Sequence, residues 1–198
     1  MVSVRINGQD APVRTEGVAR IADLVELIKA VIDPDHMITS LLLDGRDLEE
    51  TDWAANPEQY GTAIVEVETD TPASFVSQRF ARSSDIVEAC FFEFRASRKH
   101  FQVGESVEGN KKLGQAVNAL QAFFEWYGSL LDLVPQEEKK RYEINEEVTA
   151  LSEVCKTICQ QQLYQSWWAL GESIENQLEP LLDKLESKCR QFGSKMAA

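Results

Sequence analysis

Cys155 and Cys159 stand four residues apart in a stretch of helical periodicity, so their thiols share one helix face. That spacing supplies half of a metal site. A zinc centre normally needs four Cys or His ligands at recognisable spacing, and neither Cys90, Cys189, His36 nor His100 stands at motif distance from the pair. The other reading makes all four cysteines small, reduced core residues, since each lies in a helical segment among apolar neighbours; that is the thiol usage of a cytoplasmic protein. The carboxylate pairs Glu49-Glu50, Glu137-Glu138 and Glu146-Glu147 read as solvated charge. Gly8, Gly17 and Gly45 are isolated, so no glycine-rich loop cradles a phosphate, and there is no nucleophile elbow, no H-E-x-x-H and no Cys-His arrangement at catalytic spacing. A di-iron site would need Glu-x-x-His on inward helix faces, which is absent from the sequence. The expectation is a chain without catalytic residues, metal or cofactor.

The residues that remain are suited to binding. Phe91-Phe92, Phe123-Phe124 and Trp167-Trp168 are aromatic doublets, and adjacent helical residues diverge by about 100°, so both members of a doublet cannot enter one narrow seam. Trp167 and Trp168 therefore belong either to a partner-binding patch or to a wide core. Charge is unevenly placed. Of a net −13, residues 1–72 carry −10 (15 acidic against 5 basic residues), and residues 73–198 carry −3 (18 against 15). Such acidity disfavours nucleic acid and anionic membranes as partners. No apolar run reaches signal-peptide or membrane-spanning length. By contrast, the segment with Arg79, Arg82, Arg95, Arg98 and Lys99 is net basic, which raises an intramolecular docking of the two parts, with Arg95 and Arg98 on one side and Trp53 and Leu42 as apolar contacts on the other.

The elements that position these residues differ between the two parts. Val2, Val4 and Ile6 alternate with polar residues as a half-buried strand, Asn7-Gly8 is a hairpin turn, and a second strand is expected through Pro12, Val13 and Arg14. Ile21, Leu24, Val25, Leu27, Ile28 and Val31 recur at helical spacing, ending near Asp33-Pro34. A short apolar strand, Ser40 to Asp44, turns at Gly45, and a last strand covers residues 61–68.

Hairpin, helix, strand, turn and strand, together with Leu41-Leu42-Leu43-Asp44-Gly45-Arg46-Asp47-Leu48-Glu49, resemble a ubiquitin-like β-grasp domain over residues 1–70. The resemblance implies a binding patch on the outer sheet face. Leu42 falls on the patch isoleucine, Ile64 and Glu66 share that outward face, and Glu66 acidifies it. Leu42 as a core residue is the competing reading. Conjugating and sulfur-carrying members end in a free Gly-Gly, whereas here the strand runs on through Thr69-Asp70-Thr71-Pro72.

Past the linker at residues 71–74 the pattern is helical. Phe80, Val87, Phe94 and Phe101 repeat every seven residues. Leu113, Val117, Leu120, Phe124, Tyr127, Leu131 and Val134 form a heptad seam that Pro135 stops, Ile144, Val148, Leu151, Cys155 and Ile158 repeat it, and Ile174, Leu178, Leu181, Leu185 and Phe192 make a last stripe that Pro180 should kink, unless the helix starts late and Pro180 marks its first turn. The expected fold is α+β: a ubiquitin-like β-grasp domain over 1–72, then an all-α up-down four-helix bundle over 73–198. Between residues 160 and 166 either a turn or a continuous helix fits the pattern. The expected role is a cytoplasmic, non-enzymatic adaptor with a protein partner. Its plan is similar to BAG-type co-chaperones, although their signature is missing. A structural component or helical export-type chaperone that forms a homodimer or larger oligomer is the alternative, and an enzyme of unrecognised chemistry a further one.

Overall fold

The computed structural model describes residues 2–194. The chain divides into two compact units, residues 1–75 and 76–198, with the division three residues beyond the expected one and inside a helix.

The first unit is a five-stranded mixed sheet with a helix against one face. Strands β1 (Ser3–Ile6), β2 (Gln9–Asp10), β3 (Met37–Leu43), β4 (Arg46–Asp47) and β5 (Ile64–Asp70) lie in the order β2-β1-β5-β3-β4. The central pair β1 and β5 is parallel, and the other pairs are antiparallel. Both hairpins turn on the same device, two successive residues at positive φ: Asn7 and Gly8 at 50° and 77°, Asp44 and Gly45 at 49° and 76°. Helix α1 (Ile21–Lys29) sets Ile21, Leu24, Val25 and Ile28 onto Val2, Val4, Leu43, Val65 and Val67, all buried. The second strand is far shorter than expected. Pro12 has no N–H to donate to the ladder, so regular pairing ends just after Ala11, and the buried Thr15 Oγ1 donates instead to the Val2 carbonyl at 2.8 Å. Helix α2 (Glu50–Ala54) opens with a capping box between Glu49 and Asp52. The Asp52 carboxylate also accepts a two-pronged bond from Arg46, at 2.7 and 3.0 Å, and one from the Tyr60 hydroxyl.

The second unit is helical: the rest of α3 (Pro72–Ala81), then α4 (Ser83–Gln102), α5 (Ser106–Leu133), α6 (Asn145–Leu163), α7 (Trp167–Ser173) and α8 (Glu179–Ser194). Helix α4 packs against α5, α7 and α8, and α6 packs against α7 and α8. Phe80, Val87, Phe94 and Phe101 are buried as the seven-residue spacing predicts. The other stripes are displaced by one residue at alternate positions. Helix α5 buries Leu113, Ala116, Leu120, Phe123, Tyr127 and Leu130 and leaves Val117 exposed, with Phe124 and Leu131 half-buried. Helix α6 buries Glu147 and exposes Val148, and α8 buries Leu182 where Leu181 was expected. The buried Glu147 carboxylate is met by Lys188 at 2.8 Å and Lys184 at 3.5 Å.

Pro180 does not break its helix. Residues Ile174–Leu178 form a π turn, in which the Glu179 N–H reaches the Ile174 carbonyl, and the α-helix resumes at Glu179. The wider turn absorbs the residue whose carbonyl the proline ring would strike.

Candidate interaction surfaces

The helix ends at one extremity of the second unit carry its most exposed apolar side chains. Helix α4 terminates with Gly104 at φ 83°, its N–H on the Phe101 carbonyl at 3.2 Å and the next N–H, of Glu105, on the His100 carbonyl at 2.9 Å. Helix α6 terminates identically with Gln165 at φ 54°: its N–H meets the Gln162 carbonyl at 3.1 Å, and the Ser166 N–H meets the Gln161 carbonyl at 2.8 Å. Both are Schellman caps, which satisfy the last carbonyls and hold the following residues in a defined direction. Between residues 160 and 166 there is thus a turn, and α6 and α7 are separate helices.

Two contacts bring the two caps side by side. The Phe101 and Trp167 rings stack at 5.6 Å and 5°. The Gln162 amide donates to Asn110 Oδ1 at 2.9 Å. Gly109 lies so close under Phe101 that a Cβ there would stand 2.8 Å from the ring, while the Ser97 hydroxyl donates to the Gly109 carbonyl at 2.8 Å. Helices α4 and α5 meet closely at this point because residue 109 has no side chain.

On this support sit Val103, Val107, Leu163, Tyr164 and Trp168, exposed to 71%, 84%, 82%, 82% and 75%. They form an apolar apex with charged neighbours of both signs, Lys99 and Lys111 against Glu105, Glu108 and Glu172. The largest apolar patch of an ordinary monomer is about 300–600 Å². Two aromatic and three aliphatic side chains at these exposures present roughly 700 Å².

The doublets separate into one inward and one outward member. Phe91 and Phe123 are buried, while Phe92 is exposed and Phe124 half-buried. Trp167 is half-buried against Phe101, and Trp168 is exposed. The sequence pattern pointed to Trp167 and Trp168 but missed Val103, Val107, Leu163 and Tyr164. All four adjoin helix ends and lie off every buried stripe, which was the available signal.

Arg95 and Arg98 are engaged within their own unit. Arg98 Nε donates to Glu179 at 2.8 Å and its Nη1 pairs with Glu175 at 2.6 Å, while Arg95 reaches Glu179 at 3.2 Å and lies 4.3 Å over the Phe91 ring. The π turn places Glu175 and Glu179 there. On the sheet, Leu42 pairs across from Glu66 on β5 and Asp47 on β4, and Ile64 shares the outward side with Glu66, since Val65 and Val67 point into the core. Leu42, Ile64 and Glu66 are all half-buried, and Trp53 is 41% exposed on α2.

Cys90 and Cys189 are buried, Cys155 is half-buried and Cys159 is exposed, which corrects the expectation that all four lie in the core. Among the described residues no group of three or more His, Cys, Asp or Glu could hold a metal ion, and no helix is long and apolar enough to cross a membrane. No family model, curated protein or solved structure matches the chain.

Proposed function

We propose that this chain is a non-enzymatic, cytoplasmic interaction protein of adaptor type, a ubiquitin-like β-grasp module followed by a four-helix bundle, which binds protein through the apolar apex of its helical unit. The observation that carries the reading is the exposure of Val103, Val107, Leu163, Tyr164 and Trp168 on two capped turns braced by the Phe101–Trp167 stack. Large apolar side chains cost free energy in water, and interfaces use aromatic anchors of this kind on a preformed support. The β-grasp reading is supported by the strand order, with its parallel central pair and one helix against the inner face. The bundle reading is supported by the packing of α4 and α6 on the α7–α8 rod and of α4 on α5.

The test is photo-crosslinking in cells from a benzophenone amino acid at position 168 and, as control, at the exposed position of Asn118 on α5. Adducts are identified by mass spectrometry, and the purified partner is titrated against the wild type and Trp168→Ala. The expected result is an adduct specific to position 168 and an affinity loss of about tenfold or more. Equal adducts at both positions, or an affinity that Trp168→Ala leaves unchanged, overturns the reading.

A further inference from the structure

We infer that the occupant of the apex is a second copy of this chain, joined by a twofold axis through the patch; this rests on the reading of the apex as a binding surface and names its partner. The first argument is area. A stable two-chain interface buries about 1,200–2,000 Å² in total, and covering roughly 700 Å² on each of two copies falls within that range. The second is shape. The apex has two unlike halves: the α6–α7 turn carries the bulky Leu163, Tyr164 and Trp168, and the α4–α5 turn carries only Val103, Gly104 and Val107. A twofold contact sets each bulky half on the low half of the other copy, which is the self-complementarity an isologous interface requires. The third is charge. Residues 1–72 bear −10 and oppose contact with their own copy, whereas residues 73–198 bear −3, and the apex mixes Lys99 and Lys111 with Glu105, Glu108 and Glu172. Like-charge repulsion between two such helical units is weak, and opposite charges can meet across the axis.

Sedimentation velocity of the full chain over a range from about 1 to 200 μM, typical of symmetric protein association, tests the proposal with three variants: Trp168→Ala, Val107→Lys and, as a control on an exposed apolar site elsewhere, Leu27→Lys. All three positions are solvent-exposed, so folding is checked by unchanged helical circular dichroism. The expected result is a reversible dimer in the wild type and in Leu27→Lys, with dissociation constants raised about tenfold or more in Trp168→Ala and Val107→Lys. Because the contact is mainly apolar, raising the sodium chloride concentration should not dissociate it. A monomer at every concentration, or a dimer indifferent to both apex substitutions, overturns the proposal. Monomeric protein whose position-168 adduct is a different chain would sink the second-copy assignment and leave the binding apex standing, whereas loss of any position-specific adduct would sink both.

Discussion

Replacing Gly109 with alanine puts a methyl group where the Phe101 ring already lies. The new Cβ would stand 2.8 Å from two ring carbons and 3.1 Å from a third. Carbon–carbon contacts relax to about 3.5–4.0 Å, so ring or helix must give way by nearly 1 Å. The ring has little freedom, since its other neighbour is the stacked Trp167 at 5.6 Å. Overpacking of this kind costs about 1–3 kcal/mol, while alanine gains about 1 kcal/mol over glycine inside a helix. The net expectation is a loss of about 0–2 kcal/mol. Gly114 on the same helix has nothing within 4 Å of its ideal Cβ, so Gly114→Ala should instead stabilise by roughly 0.5–1 kcal/mol. The assay is urea unfolding followed by circular dichroism at the helical band, with Phe101→Leu added to complete a double-mutant cycle. Steric conflict predicts that Gly109→Ala costs less in the Phe101→Leu background, with a coupling of about 1 kcal/mol. If Gly109→Ala stabilised as much as Gly114→Ala, the close approach of α4 and α5 at the apex would be refuted.

Three further outcomes follow from other parts of the molecule. Asp52 is held below the usual carboxylate range, first by the Arg46 guanidinium and then by the Tyr60 hydroxyl and the Glu49 N–H. A lowered folded-state pKa stabilises fully above the unfolded value near 4, and the stabilisation shrinks as pH falls from there toward the folded value, so Asp52→Asn should lower the urea midpoint of the first unit most at pH 7 and less at about pH 3; a gap that stays constant over that range contradicts the assignment. In native protein a thiol reagent should modify Cys159 first, Cys155 more slowly, and Cys90 and Cys189 only on unfolding, since burial pushes the Cys189 thiol up to about 11; peptide mapping that finds Cys189 labelled as fast as Cys159 would disprove the packing of α8. Glu179→Ala removes the shared acceptor of Arg95 and Arg98, leaving the 12%-exposed Arg98 with Glu175 alone, and should cost about 2–4 kcal/mol by chemical denaturation; a loss below about 0.5 kcal/mol would show the cluster to be solvated surface charge.

The α+β arrangement was readable because its signals are local. Alternating Val2, Val4 and Ile6, the Asn7-Gly8 and Asp44-Gly45 turns, and the helical spacing from Ile21 to Ile28 each act within a few residues. What could not be read depends on distant partners. Along α5 the residues Leu113, Leu120, Tyr127 and Val134 belong to the seam on any reading, but between them stand Ala116-Val117, Phe123-Phe124 and Leu130-Leu131. Between successive seam residues the first member of each pair gives a step of three then four and the second a step of four then three, so both members fit the helical period. The choice falls to the first because Gly109, in the same phase, is drawn against α4 by Phe101 and Ser97. Glu147 was hidden for a related reason: a carboxylate is placed in a core stripe only when its cations are known, and Lys184 and Lys188 come from a different helix. The apex escaped because its four additional residues lie beside turns, and a turn built on Gln165 rather than glycine leaves little sequence signature.

Hydrogen exchange read by mass spectrometry at about 1 μM and 200 μM, concentrations that bracket common association strengths, tests most directly whether the apex joins two copies of the chain. The account predicts that higher concentration slows exchange in two stretches together, residues 100–108 and 162–169, and nowhere else to a comparable degree. Unchanged exchange in both stretches while protection rises on another surface would contradict it.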